Sequence, residues 1–186
     1  MNKCFIRLVF AMAILWWPVN IMGETKHCGT NKLPYDPSKE GCCLHEDGTG
    51  EITGDPENAN MDDYAKTKKL CKARGYGVTF CYNGEKKSAV CPYGKSMISE
   101  EYQQCIRDHE KGHVDYQFTS CECNDYKVHY DPPAGNEDDS ECEALAATYR
   151  CLFDGTHDQS DVDWIVLHRD AEYLYKEHKC TFAKGV

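Results

Sequence analysis

His109-Glu110-Lys111-Gly112-His113 places two imidazoles four residues apart with a carboxylate directly after the first. On a helix the two histidines occupy one face, one turn apart, so both reach a single ion, while Glu110 is rotated by about 100° and stands beside the ion rather than on it. That arrangement suits a catalytic zinc whose water is deprotonated by the neighbouring carboxylate. It requires a real helix with this face turned inward, and a third protein ligand.

The helix is legible. Ser99 caps it, Glu100 and Glu101 fall in its first turn, and Tyr102, Cys105, Ile106, His109, Gly112, His113 and Tyr116 form one stripe at helical spacing. Gly112 lacks a side chain beside His113 and permits close approach of another backbone or a substrate. In an oxidising compartment Cys105, one turn before His109, is expected in a disulfide that fixes this helix. A pair of core histidines without a metal would need other partners for their buried ring nitrogens.

Other elements frame it. Asn60 caps a helix expected over Met61 to about Ala73, with Tyr64, Lys68 and Cys71 on one face. Val78–Tyr82, Asn83-Gly84 and Glu85–Cys91 read as a β-hairpin, and Pro92–Lys95 as a turn. A short strand or loop over Tyr126–Tyr130 leads through an acidic turn from Asp131 to Asp139 into a helix from about Ser140 to Phe153. A final helix starts at Ser160 or Asp161 and buries Trp164, Leu167, Ala171, Leu174 and Tyr175. Residues 24–59 carry Gly, Pro, Asn, Asp and Thr without a sustained period, and an irregular segment tied by Cys28, Cys42 and Cys43 is expected there.

The third ligand separates the known classes of such sites. Tyr116 and Thr119 occupy the positions where metzincins carry a glycine and a third histidine, which excludes that pattern. The Gly155-Thr156-His157-Asp158 stretch matches the aspzincin aspartate motif only at a much greater separation. Glu141-Cys142-Glu143-Ala144-Leu145-Ala146 resembles the gluzincin ligand helix, a Glu followed by two residues and an Ala that leaves room against the motif helix. The likeness covers only the His109–His113 helix and this turn, and Leu145 stands where gluzincins often carry an Asp. The resemblance implies a zincin metallopeptidase with His109, His113 and Glu141 as zinc ligands and Glu110 as general base. Glu143 competes with Glu141, since Ser140-x-x-Glu143 and Asp138-x-x-Glu141 both read as capping boxes. Tyr149, His157, His168 and Tyr175 are the candidates for stabilising an oxyanion.

Lys3 and Arg7 precede an apolar run from Leu8 to Trp17, then Pro18 and Gly23, so residues 1–23 read as a signal peptide. Removing them takes the 13 cysteines to 12 and the formal charge from −10 to −12. An even cysteine count in an exported chain implies disulfides, and neither Cys42-Cys43 nor Cys121-Glu122-Cys123 is expected to close internally. The acidity argues against nucleic acid or an anionic membrane as partner. Residues 24–186 suit one disulfide-rich α+β domain, a mainly helical catalytic half joined to a stapled β-hairpin region, secreted or periplasmic and acting on protein or peptide. The rival readings are a zinc amidase acting on cell-wall or other non-protein amides, and a secreted binding protein without turnover.

Overall fold

The computed structural model describes residues 25–121, 123, 129–130 and 137–182. The signal-peptide reading therefore falls outside the described residues, as do residues 126–128 of the expected strand or loop and residues 131–136 of the acidic turn. The fold is α+β, with five helices and four two-stranded antiparallel ladders among the described residues.

The segment expected to be irregular forms two of those ladders. β1 (Lys26–Cys28) pairs with β2 (Leu33–Tyr35), and β3 (Gly41–Leu44) with β4 (Gly50–Thr53). Strands of three or four residues are too short to print an alternation in the sequence, and disulfides supply what side-chain burial cannot: Cys28–Cys42 joins the two ladders, and Cys43–Cys123 ties β3 to the segment after the motif helix.

Helix α1 (Met61–Thr67) starts as expected, with the Asn60 side chain accepting from the amides of Asp62 and Asp63. It stops about a turn and a half early. Lys69 adopts φ +57°, and the chain leaves the helix so that Cys71 can join Cys91. Lys68 ion-pairs with Asp55, which also accepts from the Tyr64 hydroxyl. Tyr64 and Ala65 pack on Phe80, Tyr82 and Ala89 of the hairpin β5 (Gly77–Tyr82) and β6 (Glu85–Val90), whose turn is Asn83-Gly84 as anticipated. Pro92–Lys95 is not a mere turn but opens the short helix α2 (Pro92–Met97), with proline at a first-turn position where its missing N–H costs nothing.

The motif helix α3 (Glu100–Gln117) runs between this hairpin and the last two helices, α4 (Glu137–Leu152) and α5 (Val162–Glu177). Tyr102, Cys105 and Ile106 bury with Val90, Ile98, Leu152, Trp164 and Leu167 in one cluster, and the Trp164 indole N–H donates to the Leu152 carbonyl. Fully burying each such large apolar side chain stabilises by about 1.5–3 kcal/mol. Tyr116 departs from the expected stripe and is exposed, since the helix core ends before it. β7 (Phe118–Ser120) follows at once and pairs with β8 (His129–Tyr130). Cys81–Cys121, Cys105–Cys151 and Cys142–Cys180 complete the pairing of all twelve described cysteines. No helix among the described residues is long and apolar enough to cross a membrane.

Candidate metal centre

Two helices build the site. α3 supplies His109 and His113 from consecutive turns, and α4 supplies Glu141 opposite them. The helices approach closely because Gly112 has no side chain: a Cβ there would lie 2.6 Å from Ala144 Cα and 3.2 Å from the Glu143 carbonyl oxygen. The room foreseen at Gly112 is thus filled by the backbone of α4, and Ala144, fully buried, is the small residue that meets it. Ten residues beyond Glu141 and one turn before His109, Cys105–Cys151 clamps the same helix pair.

The side chains converge. Glu141 Oε2 is 3.7 Å from His109 Nε2, and Glu141 Oε1 is 3.6 Å from His113 Nε2. Donors about 2.0–2.1 Å from a tetrahedral ion lie about 3.4 Å from one another, so the spacing fits a first-row divalent metal. Glu141 and not Glu143 faces the imidazoles; Glu143 points to the opposite side of the helix pair, among Asp108, Lys111 and Asp115.

Thr148, two turns after Glu141 on the same face of α4, fixes the His109 tautomer. Its hydroxyl donates to the Ala144 carbonyl at 3.1 Å, so its oxygen accepts from His109 Nδ1–H at 3.0 Å. The lone pair is then on Nε2, aimed at the carboxylate of Glu141. Two acceptors facing each other at this distance are repulsive without a cation between them. Ser140 Oγ lies 2.8 Å from His113 Nδ1. Ser140 is therefore a histidine partner and not the expected cap; α4 begins at Glu137, and Asp138, the other expected cap, accepts from His178 Nδ1. Burial, and for His109 the neighbouring His113, push the imidazoles down to about 3 at His109 and about 4 at His113. Both are neutral near pH 7, as metal ligands must be.

Glu110 lies on the flank of α3 that meets β5. A Cβ on Gly77 would come within 2.5 Å of Glu110 Oε1, so the glycine makes the place in which the carboxylate sits. Two residues along the same strand face, Thr79 Oγ1 donates to Glu110 Oε2 at 2.8 Å. Burial raises the Glu110 carboxyl to about 7, with the charge of Glu141 adding to the rise and the Thr79 bond opposing it. Glu110, His109 and Glu141 line one cleft of about 260 Å³ whose walls are Arg74–Gly77 on one side and Leu167, Asp170, Ala171 and Leu174 of α5 on the other.

None of the four oxyanion candidates lines that cleft. Tyr149 donates to Glu172, and burial and that carboxylate raise its hydroxyl pKa; Tyr175 donates to the Phe182 carbonyl. His168 stacks on Trp164 at 4.5 Å, and His157 lies against the Cys105–Cys151 disulfide. Tyr76 is the phenol that does line it, bonded to Asp170 at 3.0 Å with its pKa raised to about 12 by burial. Asp158 of the aspzincin-like stretch is on an exposed loop, holding Ser160. Thr79, Ser140, Thr148 and Tyr76 escape sequence reading; a helical wheel from Glu141 would have found Thr148, seven residues on, while Thr79 and Tyr76 depend on the packing of the hairpin against α3.

Two further groups of potential ligands, Cys105/Cys151/His157 and His45/Glu51/Cys123, each include cysteine committed to a disulfide. Among the described residues, His109, His113 and Glu141 are the group of potential ligands that contains no disulfide-bonded cysteine and could hold a metal ion. Comparison with known proteins finds no matching family model, curated protein or solved structure.

Proposed function

We propose that this chain is a secreted zinc-dependent metallopeptidase in which His109, His113 and Glu141 hold the ion and Glu110 is the general base. The observation that carries the reading is the convergence of the His109 and His113 Nε2 atoms on the Glu141 carboxylate at 3.6–3.7 Å. The resemblance of the Glu141–Ala146 turn to the gluzincin ligand helix supports hydrolysis of peptide bonds over other uses of the same donors, and six disulfides suit an oxidising compartment.

When bound, zinc supplies Lewis-acid polarisation of the scissile carbonyl and lowers the pKa of water toward about 7. Glu110 takes a proton from the attacking water and delivers it to the leaving nitrogen as the C–N bond breaks. Thr79 holds Oε2 at 2.8 Å, so that Oε1 is the exchanging oxygen. Thr148 and Ser140 orient the two imidazoles from behind.

The test is metal analysis and peptide hydrolysis by the oxidised mature chain, with Glu110→Gln alongside. About one zinc per chain, hydrolysis by the wild type, and a variant that keeps its zinc and loses turnover are expected. Zinc without turnover would leave a metal-binding module; an absence of zinc after reconstitution would remove the reading altogether.

A further inference from the structure

We propose that the cleft beside the metal centre receives the C-terminal end of a peptide, with the Arg74 guanidinium binding its α-carboxylate and Leu145, Leu167 and Leu174 receiving its last side chain. The catalytic consequence, carboxypeptidase specificity, rests on the hydrolase reading; the binding preference does not.

Size is the first argument. A cleft of about 260 Å³ is below the roughly 300–1,000 Å³ of sites that enclose drug-sized ligands, so it holds a residue or two and not an extended stretch of chain. The second is closure. The Tyr76 hydroxyl donates to Asp170 Oδ2 at 3.0 Å and so ties the wall before β5 to α5. Tyr76 is itself anchored, its carbonyl accepting from the Cys91 amide at 2.8 Å next to the Cys71–Cys91 disulfide. A polypeptide running on past the metal centre would have to part this bridge, whereas a chain end need not.

Charge is the third. Asp170 is compensated by Tyr76 and by Arg169, whose Nε and terminal nitrogen bond Oδ1 at 3.0 and 2.9 Å. Glu141 faces the His109 and His113 imidazoles at 3.6–3.7 Å, and Glu110 accepts from the Thr79 hydroxyl at 2.8 Å. Arg74 is the only Lys or Arg among the lining residues, and it makes no ion pair or hydrogen bond among the described residues. A planar guanidinium without a partner, at the mouth of a small apolar cleft, matches a carboxylate in charge and in fork geometry.

The experiment measures binding of acetyl-Ala-Leu, as free acid and as C-terminal amide, to zinc-loaded Glu110→Gln protein and to metal-free wild type by calorimetry. The acid is expected to bind about tenfold more tightly than the amide in both, with the difference abolished by Arg74→Ala and reduced by Arg74→Lys. Equal affinities, binding of neither form, or an Arg74→Ala loss shared by acid and amide would overturn the proposal. So would tight binding of acetyl-Ala-Glu amide, which would make Arg74 a reader of side-chain carboxylates. Failure of the peptidase reading shows separately, as an absence of zinc or turnover, because the metal-free arm still tests Arg74. Hydrolysis of a long, amide-capped peptide at an internal bond would keep the hydrolase and discard the chain-end specificity.

Discussion

Replacing Gly112 by alanine tests whether helix spacing sets the ligand triangle. The new methyl would sit 2.6 Å from Ala144 Cα and 3.1 Å from Ala144 N, both backbone atoms that no rotamer change can move. Carbon atoms pack at about 3.5–4.0 Å, so α3 and α4 must separate by about 1 Å at this contact. Cys105–Cys151 holds the pair on the other side of His109, so the helices open at the end that carries His109, His113 and Glu141. Metal–ligand distances tolerate only about 0.2 Å, and the affinity for zinc should fall by more than about 100-fold. Stability should move little by comparison. Overpacking costs about 1–3 kcal/mol, but alanine regains about 1 kcal/mol of helix propensity, leaving a net loss of about 0–2 kcal/mol and a Tm drop of at most about 8 °C in chelator. Competition against a chromogenic chelator reads the affinity, and calorimetry of the metal-free protein reads the stability. Wild-type zinc affinity in Gly112→Ala would refute the reasoning whatever happened to Tm, because the ligands would then be shown to adjust independently of the helix contact.

Thr148→Val keeps the shape of the side chain but removes the acceptor for His109 Nδ1, and should weaken zinc binding by about 10–100-fold in the same competition assay, with Thr148→Ser restoring most of it. Replacing Cys105 and Cys151 together by alanine removes a link closing 46 residues and should destabilise by roughly 4 kcal/mol in denaturant titration; a loss under about 1 kcal/mol would mean that packing alone holds the helices. In chelator-stripped protein, His109 and His113 are held near 3 and 4 against about 6.5 unfolded, so the unfolded chain binds up to two more protons and stability falls as pH drops from about 6.5 toward 4. Glu110, raised to about 7, binds its proton in the folded state first and opposes that fall between about 7 and 4.5; Glu110→Gln should therefore steepen the loss in this window, as followed by urea midpoints at several pH values.

What the sequence made legible is what periodicity and capping encode. Asn60 and the inward faces of α3 and α5 are read from residues a few positions apart, and Trp164, Leu167 and Ala171 bury as their spacing requires. Cys105 faces α4 and bonds to it, as its place on the stripe implied. The strands of residues 26–53 are illegible for a physical reason: they span at most two side-chain periods, and disulfides tie them to one another and to distant segments. Ser140 misleads because a serine before an acidic residue at a helix start has the same local signature whether it caps its own helix or holds a histidine of another. The cleft walls are the least legible part, since Tyr76 and Asp170 meet across 94 residues and nothing near either one announces the other.

The clamp on α3 and α4 bears on when the ion is needed. In small metal-dependent folds the unbound chain has no site, and metal binding and folding are one event. Here the Cys105–Cys151 link and the Gly112–Ala144 contact hold the two helices in place from their own atoms, and Cys142–Cys180 secures the far end of α4. The candidate ligands are set out in advance, so on the proposed reading metallation is a binding step on a finished scaffold and not a condition of reaching it. That reading requires oxidation to be completed first, and the chain to keep its fold when the ion is withdrawn.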